Sequence, residues 1–431
     1  MKSKNIFKSL TLVGMIAPGA VVAQVDKAKK DQVLLNEGII SIAEGGVLST
    51  VYDFDNTADG KVKNDGTAYY YSNFNNDNLY YYSDGAKESK AIFTRYENEK
   101  GKQVISGSKP TEFFDVVLDN AENYVAFDLK NEMNVNGSMD FKDGIIKVDS
   151  LKGALTFHQG SKALHPKDRS HAEGFVEKKG NEEFQYPKGD KGIYRYARIS
   201  APENIKDAFE GKYSLDDKNF FRARSGKSGV INLLNEREYW TVEKGNDNSE
   251  RGIMLTLSWD ERTTPAELLK DPEKELHIVR WDARQQVWVD EGGVVDMDKK
   301  EITTAASVKG YGFFTLATIK RELLLDGDIV IYNLVTPNGD DKNDYFLIDN
   351  INKFPNNTVE VYNRWGVKVY ETKAYDSNGN VFRGYSEGRV TVNKNEKLPS
   401  GTYFYIVSYE HKDAGGSKMI KKSGYLHLDN N

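Results

Sequence analysis

Gly46-Val-Leu-Ser-Thr-Val-Tyr-Asp-Phe54, Gly66-Thr-Ala-Tyr-Tyr-Tyr71 and Asn78-Leu-Tyr-Tyr-Tyr82 carry one theme: a short apolar run, then a bend of Asn, Asp or Gly. The theme begins at Gly38-Ile-Ile-Ser-Ile42. It continues through Ala91-Ile-Phe-Thr-Arg-Tyr96, Gln103-Val-Ile-Ser-Gly107, Phe113-Phe-Asp-Val-Val-Leu118, Asn123-Tyr-Val-Ala-Phe-Asp-Leu129 and Gly144-Ile-Ile-Lys-Val148. Each run suits one short strand. A single rung of this size cannot bury its own apolar face, so neighbouring rungs must cover it. The reading for 24–164 is therefore a β-solenoid-like stack of strand repeats, with an antiparallel β-sandwich as the alternative. The composition agrees with an all-β chain: 25 Tyr and 37 Gly in 431 residues, with aromatics at 12%.

Beyond a polar stretch the character changes. Gly192-Ile-Tyr-Arg-Tyr-Ala-Arg-Ile199, Glu238-Tyr-Trp-Thr-Val242, Ile253-Met-Leu-Thr-Leu-Ser-Trp259, Leu276-His-Ile-Val-Arg-Trp-Asp282 and Gly312-Phe-Phe-Thr-Leu-Ala317 read as longer strands, with alternation clearest in 253–259. The expectation for 165–320 is a β-sandwich of about seven or eight strands. The segment Thr264–Lys270 reads as a short helix, with Thr263 or Thr264 as cap and Pro265 in its first turn. A linker is expected at 321–328.

The last hundred residues open with Asn333-Leu-Val-Thr-Pro-Asn-Gly-Asp-Asp-Lys-Asn-Asp-Tyr-Phe-Leu-Ile348, a strand, a tight polar turn and a second strand. Next comes a hairpin, Val359-Glu-Val-Tyr-Asn-Arg-Trp-Gly-Val-Lys-Val-Tyr370, with Gly366 placed to take a positive φ. Leu398-Pro-Ser-Gly-Thr-Tyr-Phe-Tyr-Ile-Val-Ser-Tyr409 feeds a long strand, and Lys422-Ser-Gly-Tyr-Leu-His-Leu428 closes the chain. These four blocks, in this order, resemble the gliding-motility-associated C-terminal domain, the type B sorting domain of the type IX secretion system in Bacteroidota. The resemblance rests on Thr336, Pro337, Asn338, Gly339, Asp340, Asn343, Asp344, Asn363, Arg364, Trp365, Gly366, Gly401 and Tyr403. It implies an Ig-like β-sandwich at 329–431 and recognition by the type IX translocon. It also implies docking to a PorP-type outer-membrane barrel and association with a large surface adhesin. The strand repeats also resemble the N-terminal regions common in Flavobacteria surface proteins. The Trp-rich central strands look like a domain that often precedes such sorting domains.

The N-terminus points the same way. Lys2, Lys4 and Lys8 precede the apolar run 10–22, and Val21-Val22-Ala23 fits a cleavage site. Residues 1–23 therefore read as a signal peptide, cleaved between Ala23 and Gln24. No other apolar run approaches the ~20 residues of a membrane-spanning helix. The chain has no cysteine, which excludes disulfides, thiolate metal sites and a lipidated N-terminal Cys. Its net charge is -6 with both signs interspersed, which argues against nucleic-acid binding. The expected location is the cell surface or the medium.

Candidate chemistry is sparse. Asn338, Asp340, Asp341, Asn343 and Asp344 place oxygen ligands around a Gly turn, as calcium loops do. They lack the bidentate Glu of an EF-hand, and Asp341 stands where the resembled family usually has Gly. The other reading is a cluster of Asx turns satisfying its own backbone. His158, His165 and His171 match no zinc spacing and read as exposed loop histidines. Tyr69 to Tyr71 and Tyr80 to Tyr82 are either a sugar- or surface-binding platform or ordinary solenoid packing. Trp281 and Trp288 pose the same choice, and core packing fits them better. Asp149-Ser150-Leu151 matches a short O-glycosylation pattern of Bacteroidota. No nucleophile elbow, P-loop or zincin motif occurs. The function expected is a non-enzymatic surface protein of the gliding or adhesion machinery. The alternative is a secreted glycan-binding or glycan-cleaving protein.

Overall fold

A computed structural model describes residues 32–96, 101–122, 124–228, 231–246, 252–304, 306–319, 329–339, 343–376, 379–386, 396–413 and 416–430. The expected signal peptide and the 321–328 linker lie outside the described residues. The chain divides into two compact units. The first is Met1–Ala197, Pro202–Leu215 and Trp240–Ser249; the second is Arg198–Ala201, Asp216–Tyr239 and Glu250–Asn431.

The first unit is built on a parallel β-solenoid of three faces. One face is a seven-stranded sheet that begins Val33–Asn36, Asp53–Asn56, Phe74–Asn76. A second, six-stranded face includes Val47–Thr50, Thr67–Tyr70 and Lys90–Thr94. The third starts with Ile39–Ile42, Lys61–Asn64 and Leu79–Tyr81, and later coils supply Thr111–Phe113, Glu132–Val135, Ala154–Phe157 and Val176–Lys179. Successive coils pair in parallel register, Val33 with Asp53 and Phe54 with Phe74.

Period-two alternation decides what enters the core. Phe54, Val62, Ala68, Tyr70, Phe74, Tyr80, Phe93 and Phe113 point inward and are buried. Their rings form a continuous stack, with Phe54–Phe74 centroids 5.6 Å apart and Tyr70–Phe74 4.9 Å apart. Inward polar residues are equally ordered. The Asn36 amide donates to Asn56 Oδ1 at 2.7 Å, and the Asn56 amide donates to Asn76 Oδ1 at 2.7 Å. Asn76 in turn donates to Thr111 Oγ1 at 3.2 Å, and Asn131 reaches the same hydroxyl at 3.0 Å from the other side. The sequence shows these asparagines only as bends. In the fold they are a buried ladder that satisfies amides which would otherwise cost free energy inside the core.

The parallel pairing runs past the expected boundary at 164. Ala172–Glu173 and Val176–Lys179 still add to the stack. It ends where Ala208–Leu215 pairs antiparallel with Val176–Lys179, covering that edge of the third face. His171 departs from the exposed-loop expectation because it lies in this last coil. It is fully buried, with Nδ1 3.0 Å from the Lys167 carbonyl and Nε2 3.8 Å from Glu173 Oε1. His158 is half-buried, 3.1 Å from Asn134 Oδ1, and only His165 is exposed, 2.9 Å from Asp140.

Lys188, in the same unit, is also buried. Its Nζ lies 3.9 Å from the centre of the Tyr186 ring and has no hydrogen-bond partner among the described residues. Burial holds this ammonium well below the usual lysine range. Between that depressed value and about 10.4 the unfolded chain binds the extra proton, so folding stability rises with pH across this window. Lys188→Met is expected to raise the melting temperature at neutral pH and flatten the rise from pH 6 to 10. A Met variant that melts lower with the slope intact would show that the cation contributes stability.

In the second unit, Ile231–Leu234, Leu276–Asp282 and Gly312–Ile319 form an antiparallel sheet with Val287–Gly292, while Leu255–Ser258, Val294–Asp296 and Glu301–Thr303 form another. Trp281 and Trp288 are buried in a cluster with Phe220, Phe221, Tyr239 and Val279, as core packing requires. The helix expected at Thr264–Lys270 is a 3-10 turn, Ala266–Leu269, with no side-chain cap. The reason is a partner distant in the chain: Thr264 Oγ1 donates instead to buried Glu238 at 2.6 Å. Short α-helices form at Lys218–Arg222, capped by the Asp217 carboxylate on the Phe220 amide, and at Pro272–Glu275.

Candidate functional site

The C-terminal part of the second unit is a domain with its own core. Gly401–Asp413 and Gly416–Leu428 form a long antiparallel hairpin. Asn357–Tyr362 pairs with the first of these strands, Lys368–Lys373 pairs with Asn357–Tyr362, and Leu334–Val335 runs parallel to the chain end at Leu428. A two-stranded sheet, Val330–Ile331 with Ile348–Asp349, completes the set. Between them lie Val335, Phe346, Ile348, Val359, Val361, Tyr405, Val407 and Leu428, all in one buried cluster.

The motif residues are structural in distinct ways. In the hairpin 362–368, Asn363 organises the turn: its Oδ1 accepts from the amides of Trp365 and Val367, both at 3.0 Å. Gly366 takes φ 74°, a conformation that β-carbon sterics disfavour. Trp365 is half exposed, and the Arg364 guanidinium lies 4.2 Å from its ring centre. Tyr403 is buried and donates to the Pro399 carbonyl at 2.8 Å, closing the turn before Gly401 starts its strand. Tyr375, which no local sequence pattern singles out, donates at 2.5 Å to the Phe346 carbonyl and accepts at 3.1 Å from the Phe382 amide. It ties two loops to the core.

At the 336–344 turn, the Thr336 amide donates to the Asn343 carbonyl at 2.7 Å, and the Gly339 amide to Asp344 Oδ1 at 2.7 Å. Pro337 is half-buried, and Asn338 and Gly339 are exposed. Asp340 and Asp341 lie outside the described residues. The Asp344 carboxylate thus has a backbone partner, as an Asx cluster requires, and a carboxylate with two oxygens can still take a cation. If the turn takes calcium, chelation lowers the melting temperature of the protein. Binding to the native state alone adds about 2.7 kcal/mol at a hundredfold excess over Kd. The double variant Asp340→Ala with Asp344→Ala should abolish the difference, and an unchanged melt with and without chelator would leave a plain turn.

The solenoid sites resolve separately. Tyr70 and Tyr80 are core residues, hydroxyl to hydroxyl at 3.0 Å, and burial pushes the Tyr80 phenol up to about 12. Tyr69 and Tyr71 face outward with parallel rings 6.2 Å apart, and exposed Tyr96 meets Tyr71 edge-on at 5.8 Å. Tyr81 is exposed, and Tyr82 packs on Phe114 at 5.5 Å. Ser150 lies on an exposed turn held by the Asp149 carboxylate.

No helix among the described residues is long and apolar enough to cross a membrane. No curated protein and no solved structure matched the chain. Residues 329–428 match the CHU_C type IX secretion signal domain. That span begins at the two-stranded sheet and ends at Leu428, the last residue of the long hairpin, so it covers the domain just described. The chain is therefore a substrate of type IX secretion, exported to the cell surface or beyond, and 329–428 is its C-terminal sorting domain.

Proposed function

We propose that this is a non-enzymatic surface protein, an accessory or carrier component of gliding motility or adhesion that docks to a PorP-type outer-membrane barrel and serves a larger adhesin. The observation that carries the reading is the pairing of a sorting domain with a parallel solenoid. The solenoid offers regular outer faces whose polar side chains already bond one another along the stack, as Asn75 does with Asp55 at 2.9 Å and Ser106 with Asn75 at 3.0 Å. Such faces suit broad contact with another protein. Deletion of the gene should impair colony spreading and display of the larger partner, while growth on polysaccharides stays normal.

The outward tyrosines support a second reading, a glycan-binding or glycan-cleaving surface protein. Tyr69, Tyr71 and Tyr96 form an outward aromatic group of the kind on which sugar rings stack. Normal spreading together with lost growth on one glycan would select this reading over the first.

A further inference from the structure

The long strand Gly401–Asp413 sends alternate side chains to opposite faces of its sheet. Tyr403, Tyr405 and Val407 enter the domain's own core. Phe404 and Ile406 point the other way, yet they are also buried, at 9% and 3% exposure. What covers them is the neighbouring sandwich of the same unit: Met254 and Val294 form one cluster with Tyr362, Phe404 and Ile406, and Ala306 and Tyr425 pack against it. Three further contacts extend the seam. A β-carbon at Gly366 would stand 3.0 Å from Met254 Cγ, so the hairpin turn is pressed against the sandwich. One at Gly292 would stand 3.4 Å from Ser423 Oγ. Lys421 is half-buried beside Lys309, Asp290, Glu291 and Glu360, and burial, with Lys309 adding to it, holds its ammonium below the usual range.

We infer that the sandwich and the sorting domain travel as one fixed export module, and that the secretion machinery reads the rim of the sorting domain rather than its sheet face. One face of the sheet is core, and on the other the sandwich covers Tyr362, Phe404 and Ile406, while the far end of the hairpin at Met419 stays exposed. Among the described residues, the surface that remains includes the turn at 336–339, the far end of the hairpin and the edge strand Lys368–Lys373, which has one neighbouring strand. An edge strand is a natural place for another chain to add a strand. The inference rests on the assignment of 329–428 as the sorting domain and adds which of its surfaces is available.

The test uses the absence of native cysteine in the full chain. Gly292→Cys with Ser423→Cys places two sulfurs across the seam at a separation suited to a disulfide. The cross-linked protein is expected to reach the cell surface or medium as well as either single-cysteine control. Retention in the periplasm, relieved by reductant, would mean that the covered face must open for recognition and would overturn the inference. So would an exported protein in which the pair never cross-links although both thiols react with a maleimide. Gly292 holds φ 77°, so a second variant guards against misfolding there. Ile406→Asp should speed hydrogen exchange in both 253–258 and 401–409, because the seam serves both sides. Faster exchange in 401–409 alone would also overturn it. Chains lacking 329–431 run in parallel: if they are exported, the sorting assignment itself has failed, a result separate from either outcome above.

Discussion

A chain ending before Asp326 is expected to accumulate in the periplasm, with none at the surface or in the medium. The matched span 329–428 closes on itself only at its last strand, where Gly401 pairs with Leu428 and Val335 lies beside Leu428 in parallel. Leu426 and Leu428 are fully buried. A shorter truncation that ends the chain before Gly416 would open the same core and should fail to the same extent. Cell fractionation with an epitope in the solenoid reads the outcome. Surface or culture-medium protein from the truncated chain would remove the secretion assignment.

The second large effect lies in the solenoid. Phe74→Ala is expected to destabilise the protein by about 3–5 kcal/mol, the usual cost of emptying a buried aromatic site. Phe74 is fully buried and meets five rings: Phe54, Tyr70, Tyr80, Phe93 and Phe113, with centroids between 4.9 and 6.0 Å away. Those rings come from five different strands, so the gap cannot close by moving one side chain. Denaturant unfolding gives the measurement through the midpoint at constant slope. A loss below about 1 kcal/mol would mean that the coils relax together and that the aromatic stack is not what holds them.

The repeat theme and the alternation within each run were legible because strand period and bend residues are local properties. Gly366 was legible for the same reason: a hairpin turn demands a positive φ whatever surrounds it. What escaped depends on partners distant in the chain. Asn36, Asn56 and Asn76 look like any other bend asparagine until the coils stack and place each amide on the next. His171 sits in a polar stretch, and only the continuation of the parallel stack past 164 buries it. Thr264 reads as a helix cap, but its hydroxyl is taken by Glu238, 26 residues away in the chain. The cover over Phe404 and Ile406 was equally hidden, since alternation predicts which face a residue takes and not what meets that face.

The asparagine ladder also sets a rule for the length of the solenoid. Asn36, Asn56 and Asn76 are spaced 20 residues apart, and each hands its hydrogen bond to the residue one full coil later. An insertion of a whole coil between them repeats the pattern and lengthens the stack by one strand spacing, about 4.8 Å. An insertion of half a coil adds a loop and no height, as in the step from Asn76 to Thr111, which spans 35 residues and is still bridged at 3.2 Å. The reach of this protein is therefore quantised: it can be lengthened or shortened in steps of one coil, and in nothing smaller.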